Sequence, residues 1–400
     1  MNRIGIGEFY FEEEGKKIML DIIKRNAISE GKYCREFEKE FAEYIGTKNA
    51  VICNSGTSAL MLVLQALKYH SKYKIPEGKK VIMPALTYIA TANSIATTNF
   101  EPVFIDINKD DFCINTELLK EHIEGIDDIK EYAGIMPVHL MGYPAEMNKI
   151  NKIAEKNGLI VIEDSAEAHG SIYDGKRTGN LSFAGCFSFY LAHNIQVGEV
   201  GMITTNDEEL TDKCNRLKGN GRLCYCNVDE IHSGKCTHQM NEFHPRYLHD
   251  MIGYNFKSME YQGAIGTVQM KKIKWLLRQR QENVKKLNEG LEELNGSSLI
   301  LPKHSEEISY LGYPLVVIDE KISRNDIAQE LVKKEIENRP IFNSIPTQQP
   351  AYEKYRKEYQ GKVNTAEYIG NNGIYIGCHQ YLKEEEIEYM IKSIKEIFGK

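Results

Sequence analysis

The chain has 400 residues, of which 42% are hydrophobic and 27% charged, and its formal net charge is −7. These values are typical of a water-soluble enzyme with one large core and a smaller second domain. Acidic and basic residues are mixed throughout, so the composition argues against nucleic-acid binding and favours a small-molecule substrate.

The sequence shows no targeting or membrane segment. Residues 1–17 contain no uninterrupted apolar stretch, and no later window reaches about 18 consecutive apolar residues. We therefore expect a cytoplasmic protein without membrane contact. The nine cysteines are an odd number, and in that compartment we expect reduced thiols rather than disulfides.

A candidate phosphate site follows the first predicted strand. Amphipathic helices are predicted at residues 8–26 and 34–44, and an apolar strand at 50–53 then leads into Asn54-Ser-Gly-Thr-Ser58 and a helix at 59–69. Free backbone N–H groups and the helix dipole would act there with the hydroxyls of Thr57 and Ser58. A plain helix cap explains the same residues, so both interpretations stay open on this motif alone.

The next part of the chain predicts an α/β fold. Further apolar strands are predicted at 81–84, 102–106, 133–139 and 159–164, with a helix at 147–157. This alternation indicates a mostly parallel sheet with helices on both faces. Ligands of such sheets bind at the carboxyl ends of the strands, which is where we expect Thr57, Tyr88, Asp164 and Ser188.

Asp164 ends an apolar run and therefore needs a partner. A cationic ring nitrogen of a cofactor would be a suitable one, because a buried carboxylate is costly when unpaired. Capping of the following turn by Asp164 is the alternative.

The pattern changes after about residue 253. A long charged helix is predicted at 268–294, followed by a strand at 310–318 and helices at 324–334 and 384–398. We therefore predict a large domain of residues 1–266 and a linking helix with a small α+β domain over residues 267–400.

Six motifs carry a family resemblance over nearly the whole chain. They are Asn54-Ser-Gly-Thr-Ser-Ala-Leu60, Pro84-Ala-Leu-Thr-Tyr-Ile-Ala-Thr-Ala-Asn93, Pro137-Val-His-Leu-Met-Gly-Tyr-Pro144, Glu163-Asp-Ser-Ala-Glu-Ala-His-Gly170, Phe187-Ser-Phe-Tyr190 and Gly253-Tyr-Asn-Phe256. In this order they resemble the DegT/DnrJ/StrS family of pyridoxal-phosphate-dependent sugar aminotransferases. The resemblance implies fold type I, in which a mostly parallel seven-stranded sheet is flanked by helices and followed by a smaller C-terminal α+β domain.

The resemblance also implies roles for individual residues. Gly56, Thr57 and Ser188 would hold the cofactor phosphate, and Tyr88 would stack on the pyridine ring. Asp164 would keep the ring nitrogen protonated, and Glu167 would contact the ring hydroxyl. Asn255 would reach the phosphate of a neighbouring subunit, which implies a homodimer with shared sites.

The chain departs from the family pattern at His193. The family has a lysine five residues after the phosphate serine, but no lysine lies between Lys176 and Lys213 here. The cofactor should then be bound non-covalently, as pyridoxamine phosphate, with His193 moving protons as acid and base.

The same exchange resembles a subgroup of the family, the nucleotide-sugar 3-dehydratases. These enzymes remove the C3 hydroxyl of a GDP- or CDP-activated 4-keto-6-deoxyhexose. Residues 339–352 and 373–377 also look like that subgroup. A nucleotide-sugar substrate is therefore implied, with glutamate as the donor if the amine is regenerated in place.

A polar segment with three cysteines suggests a metal centre. Cys224, Cys226 and Cys236 resemble part of the segment by which a CDP-hexulose 3-dehydrase binds a [2Fe–2S] cluster, and a separate reductase would then supply electrons. The match is incomplete, because Ala166 occupies the first cysteine position of that pattern. The fourth ligand would come from His232, His238 or Cys186, a set that also suits zinc, and a metal-free segment is the alternative.

Two other functions stay open from the sequence. One is a sugar aminotransferase that tolerates histidine in place of lysine. The other is a catalytically inactive family member that acts as a regulator or partner subunit.

Overall fold

The computed structural model describes residues 3–225 and 247–400. The helices in these residues are α1 (Glu13–Arg25), α2 (Lys32–Ile45), α3 (Gly56–Tyr69), α4 (Ala90–Thr97), α5 (Thr116–Glu124), α6 (Met147–Asn157), α7 (Glu208–Leu217), α8 (Glu260–Lys271), α9 (Ile273–Leu291), α10 (Arg324–Lys333), α11 (Glu353–Tyr359), α12 (Asn364–Asn372) and α13 (Glu384–Ile397). The strands are β1 (Asn49–Cys53), β2 (Lys80–Pro84), β3 (Glu101–Ile105), β4 (Tyr132–Ile135), β5 (Ile160–Asp164), β6 (Ile172–Tyr173), β7 (Lys176–Arg177), β8 (Ala184–Ser188), β9 (Gly201–Thr205), β10 (Leu299–Ile300), β11 (Tyr313–Val317), β12 (Asn338–Pro340) and β13 (Gly373–Ile376).

A seven-stranded sheet forms the centre of the first part of the chain. Its strand order is β1-β9-β8-β5-β4-β2-β3. Strand β9 runs antiparallel to both neighbours, and every other neighbouring pair is parallel. All five residues of β5 are buried, as expected for a strand covered on both faces by helices. The predicted fold class is confirmed.

An aromatic cluster supports the strand that leads to His193. The ring of Phe41 in α2 packs edge to face on Phe187 and Phe189, at centroid distances of 4.9 and 5.2 Å. Phe37 packs on Phe189 in the same way at 5.0 Å. All four rings are fully buried, so this cluster gives the end of β8 a rigid base.

A second, four-stranded sheet lies in the C-terminal part of the chain. Its order is β10-β11-β13-β12, and all pairs are antiparallel. The N-terminal segment joins this region, since Ile4 exchanges backbone hydrogen bonds with Glu335 and Glu337 at 2.9 Å each. The division into domains at residue 266 remains a prediction.

The prediction of one long helix at 268–294 is wrong. The chain leaves the helical conformation at Lys272 (φ −114°, ψ 9°), between α8 and α9. The Lys272 ammonium pairs with Glu12 and donates to the Tyr381 hydroxyl at 2.9 Å. These contacts join the N-terminal and C-terminal segments, and such tertiary contacts routinely override local helix propensity.

None of the helices in the described part of the chain is long and apolar enough to cross a membrane.

Candidate active site

A cavity of about 410 Å³ lies at the carboxyl edge of the seven-stranded sheet. Its volume is in the range typical of small-molecule sites. The sheet side contributes the ends of β5 and β8 and the start of α3, and the C-terminal region closes the other side. The lining includes Gly56, Thr57, Tyr88, Asp164, Glu167, Ser188 and His193 from the prediction, together with Arg339, Phe342 and Tyr375.

The N-terminus of α3 forms one end of the cavity. The helix begins at Gly56, three residues before the predicted start, because Ser55 caps it by accepting a hydrogen bond from the Ser58 N–H at 3.1 Å. Gly56 and Thr57 line the cavity in the first turn, where N–H groups lack helical partners and attract anions. Ser58 is buried and donates to Ser55, so the structure places it in the cap and outside the lining. A helix cap at Ser55 and an anion site in the first turn are therefore compatible, so the two interpretations of this motif do not exclude each other.

Gly56 is required by a close approach between α3 and β8. An ideal Cβ at this position would lie 2.6 Å from the Cβ of Ser188. Since real side chains never come so close, only glycine lets the start of the helix touch the end of β8. The contact places the Ser188 hydroxyl beside the first turn of α3.

Tyr88 is the most exposed aromatic residue of the cavity, with 59% of its surface accessible. Its ring lies 5.8 Å from the ring of Phe342, which comes from the C-terminal region. An exposed ring at the cavity wall is available to pack against a flat ligand.

Asp164 is a buried carboxylate that faces the cavity. One oxygen accepts a hydrogen bond from the Thr91 hydroxyl at 2.8 Å, and the other accepts from the Ala166 N–H at 3.2 Å. Burial raises the pKa of the carboxyl, and no described lysine or arginine forms an ion pair with it. Asp164 therefore caps its turn and still has room for a cationic ligand.

Glu163 has a different function from its neighbour, because successive strand residues point to opposite faces. Its carboxylate accepts from the His139 ring at 3.0 Å, from the N–H groups of Gly179 and Leu181 at 2.6 and 2.9 Å, and from the Ser182 hydroxyl at 3.0 Å. All of its bonds are to protein groups, which makes Glu163 a structural residue.

Glu167 is protonated at neutral pH. It is buried, and one of its oxygens accepts a hydrogen bond from the Met141 N–H at 2.8 Å. Burial raises the pKa of its carboxyl to about 8, with a further contribution from nearby Asp164. Glu167 can therefore donate a hydrogen bond into the cavity as a neutral acid.

His193 is a neutral base with a defined tautomer. Its Nδ1 lies 2.8 Å from the carbonyl oxygen of Ser188, and a carbonyl only accepts, so Nδ1 carries the proton. Burial lowers the pKa of the ring to about 4. At neutral pH the Nε2 lone pair is then available to accept a proton.

The remaining predicted ligands either do not belong to the described cavity lining or lie outside the described residues. Asn255 is exposed and forms a backbone bridge with Gly219, and it does not belong to the described cavity lining. Cys224 is buried, whereas Cys226, Cys236, His232 and His238 lie outside the described residues. Cys186 is buried in β8, and burial raises the pKa of its thiol well above the usual value. Within residues 3–225 and 247–400, no group of three or more His, Cys, Asp or Glu residues is suited to hold a metal ion.

Sequence reasoning gave no role to several residues of the site. Thr91 lay inside a quoted motif, but its bond to Asp164 joins residues that are 73 positions apart in the sequence. Arg339 and Tyr375 enter the cavity from the second sheet. Arg339 is the only lysine or arginine among the described lining residues. No local pattern predicts that these distant segments meet.

The fold and the site define a fold-type-I enzyme of the pyridoxal-phosphate class. Residues 10–395 match the DegT/DnrJ/EryC1/StrS aminotransferase family, and the chain belongs to this family.

Two relatives and one solved structure illustrate the similarity. The chain is 32% identical over 373 residues to GDP-perosamine synthase of Escherichia coli O157:H7, covering 93% of this chain and 92% of that protein. It is 28% identical over 390 residues to GDP-4-keto-6-deoxy-D-mannose 3-dehydratase of Yersinia pseudotuberculosis, covering 96% of each. The solved structure of the E. coli GDP-4-keto-6-deoxy-D-mannose 3-dehydratase with bound hydrated PLP shares the fold, with a TM-score of 0.83, 24% identity, and coverage of 98% of this chain and 100% of that one.

We expect the pH dependence of stability that the Glu167 proton causes to be absent from the Glu167→Gln variant. The folded protein holds the Glu167 proton up to a pKa of about 8, whereas the unfolded chain releases it near 4.5, so stability falls as pH rises between these values. Glutamine has no proton to lose, so the variant should gain roughly a few kcal/mol over the native protein between about pH 5 and pH 8. Denaturant unfolding of the cofactor-free protein measures the difference. Glu199→Gln, at an exposed cavity residue, is the matched control. Parallel stability profiles for Glu167→Gln and the native protein would contradict the assignment.

Proposed function

We propose that this protein is a pyridoxamine-phosphate-dependent 3-dehydratase of a nucleotide-activated 4-keto-6-deoxyhexose. The observation that carries the proposal is His193, in the turn that follows β8, in a cavity whose described lining contains no lysine. Aminotransferases of this class need a lysine amine that bonds the cofactor and moves protons. Here only the proton-moving function is available at that place.

The residues present suit this cofactor. The first turn of α3 and the Ser188 hydroxyl would hold its phosphate, and Asp164 would pair with its ring nitrogen. The Tyr88 ring would cover the face of the pyridine. When bound, the cofactor would supply a primary amine and an electron-accepting ring.

The chain's own residues would provide the acid–base chemistry. Nε2 of His193 would accept a proton and return it later, because Nδ1 is held by the Ser188 carbonyl. Protonated Glu167 would donate a hydrogen bond to the ring hydroxyl of the cofactor. The partly buried cavity limits access of water and so strengthens these interactions.

The names of the relatives support two related activities. One relative is named a 3-dehydratase and the other a perosamine synthase. The second name, at the higher identity, favours a sugar aminotransferase as the alternative function. His193 favours dehydration, because no lysine amine is present at this place to exchange with an amine that is bound to the cofactor. A catalytically inactive regulatory member is the third possibility.

The proposal also includes partners. The substrate is a nucleotide sugar, and glutamate is the amine donor if the amine is regenerated in place. The chain acts as a homodimer in which Asn255 reaches the neighbouring site. A separate reductase would be required if the cysteine segment holds a cluster.

Product analysis tests the reaction. With GDP- or CDP-activated 4-keto-6-deoxyhexose and pyridoxamine phosphate, a single turnover should release a product that lacks the C3 oxygen, as detected by mass spectrometry. An amino sugar that retains the C3 oxygen would instead establish the aminotransferase. Protein that binds no cofactor, as judged by its absorbance after incubation with pyridoxal phosphate and glutamate, would favour the inactive member.

Replacing His193 by lysine should change the chemistry of the site. In His193→Lys the new amine should bond pyridoxal phosphate covalently, and dehydration should fall by a factor of at least about 100, because the neutral imidazole is lost. Borohydride reduction followed by intact mass spectrometry detects the bond. His193→Asn is the control that removes the base without adding an amine. Unchanged dehydration in both variants would remove His193 from its assigned role.

The cysteine segment leads to a separate proposal, a [2Fe–2S] cluster held by Cys224, Cys226 and Cys236, with zinc as the other metal that suits these residues. Protein purified without oxygen should be brown and contain iron and acid-labile sulfide, and triple replacement of the three cysteines by serine should remove both. Replacement of Cys113, which is buried near Tyr143, is the control for loss of an ordinary thiol. Colourless, iron-free protein would contradict the proposal of a cluster. Bound zinc would indicate a structural zinc site instead.

A further inference from the structure

Arg280 is a buried cation close to His193. It lies in the middle of α9, and none of its surface is accessible. No carboxylate of the described chain forms an ion pair with it, and burial lowers the pKa of its guanidinium. A buried charge without a counter-ion is costly, so Arg280 depends on its hydrogen bonds for stabilisation.

The hydrogen bonds of Arg280 join three separate segments of the chain. Its Nη2 donates to the carbonyl oxygen of His193 at 3.3 Å. Its Nη1 donates to the carbonyls of Leu311 and Tyr310 at 2.9 and 3.2 Å, and its Nε donates to the Gln380 side chain at 3.2 Å. The planar, forked guanidinium is suited to bind several acceptors at fixed angles.

Asn194 strengthens the same connection. Its side-chain nitrogen donates to the Tyr310 carbonyl at 3.0 Å and also to the Ser309 carbonyl. Leu311, next to these carbonyls, lines the cavity. The backbone of His193 is therefore tied to one wall of the cavity by two fully buried side chains.

We infer that Arg280 is a positioning residue for His193: its guanidinium fixes the His193 backbone to residues 310–311, and its positive charge adds to the effect of burial in disfavouring protonation of the imidazole. The inference deepens the proposed function, because it rests on His193 acting as the base. Arg280 itself does not line the cavity and is not expected to touch the substrate.

Other charged or titratable groups near His193 have weaker effects on it. Arg339 also lowers the pKa of His193, but it is partly exposed and paired with Glu337 at 3.2 Å. The ring of His169 lies 6.3 Å away, and burial lowers its pKa to about 3, so it is uncharged. The remaining groups are the Tyr190 ring, at 6.0 Å, and the carboxyl groups that share the cavity, Asp164, Glu167 and Glu199.

Direct titration of His193 tests the inference. In protein with ¹⁵N-labelled histidine, the His193 resonances are assigned by their loss in His193→Asn. The native ring should stay neutral, with the proton on Nδ1, down to about pH 4. In Arg280→Gln the titration midpoint should rise above the native value, because a nearby positive charge has been removed, while burial still holds it below the usual histidine value. In Arg280→Lys, which keeps the charge, it should stay near the native value.

Arg278→Gln is the matched control, since Arg278 is an exposed residue of the same helix that pairs with Glu282 at 2.8 Å. It should leave the titration unchanged. A native-like titration in Arg280→Gln, accompanied only by a lower midpoint of unfolding, would show a merely structural role and overturn the inference. If Arg280→Gln does not fold, Arg280→Lys decides: a native-like midpoint and tautomer support the inference, and a midpoint raised above the native value overturns it.

The titration does not depend on turnover. It reads the imidazole of the full chain without cofactor or sugar, whereas the proposed dehydration is judged by its product. A raised midpoint in Arg280→Gln together with an amino-sugar product would therefore retain the role of Arg280 and reject the dehydratase.

Discussion

The contact between the start of α3 and the end of β8 is the constraint on which the site depends. Gly56 meets Ser188 on one side, and Gly201, in the neighbouring strand, meets the Ser55 carbonyl so closely that an ideal Cβ would lie 2.0 Å from its oxygen. Two glycines thus let a helix N-terminus approach two strands at van der Waals distance. As a result, the N-terminus of α3 at one end of the cavity and the turn that leads to His193 share one rigid base.

Burial then separates the chemistry of residues that look alike in the sequence. Glu163 and Asp164 are neighbours, but the first has only protein partners and the second faces the cavity without an arginine or lysine partner among the described residues. Glu167 retains its proton, while the neutral His193 is ready to accept one. A donor and an acceptor of protons therefore coexist in one cavity at the same pH, because burial raises the pKa of Glu167 and lowers the pKa of His193.

The local features of this structure could be predicted, whereas its long-range contacts could not. Apolar runs located the strands of the large sheet, since strands buried on both faces are continuously hydrophobic. The start of α3 was placed three residues late, because Gly56, Thr57 and Ser58 are weak helix formers that are helical here owing to the Ser55 cap. Arg280 was not found, because its hydrogen-bond acceptors lie 30 or more residues away and a carbonyl acceptor leaves no trace in the sequence. Arg339 was given no role, because its place in the cavity depends on the second sheet lying beside the first.

The acceptor that orients His193 is the main-chain carbonyl of Ser188. Every amino acid carries this carbonyl, so no substitution at position 188 can delete it. The tautomer of the base is therefore robust to mutation of its own partner, unlike that of a histidine oriented by an aspartate. A histidine on this turn is therefore oriented by the course of the main chain and does not require any particular side chain at position 188.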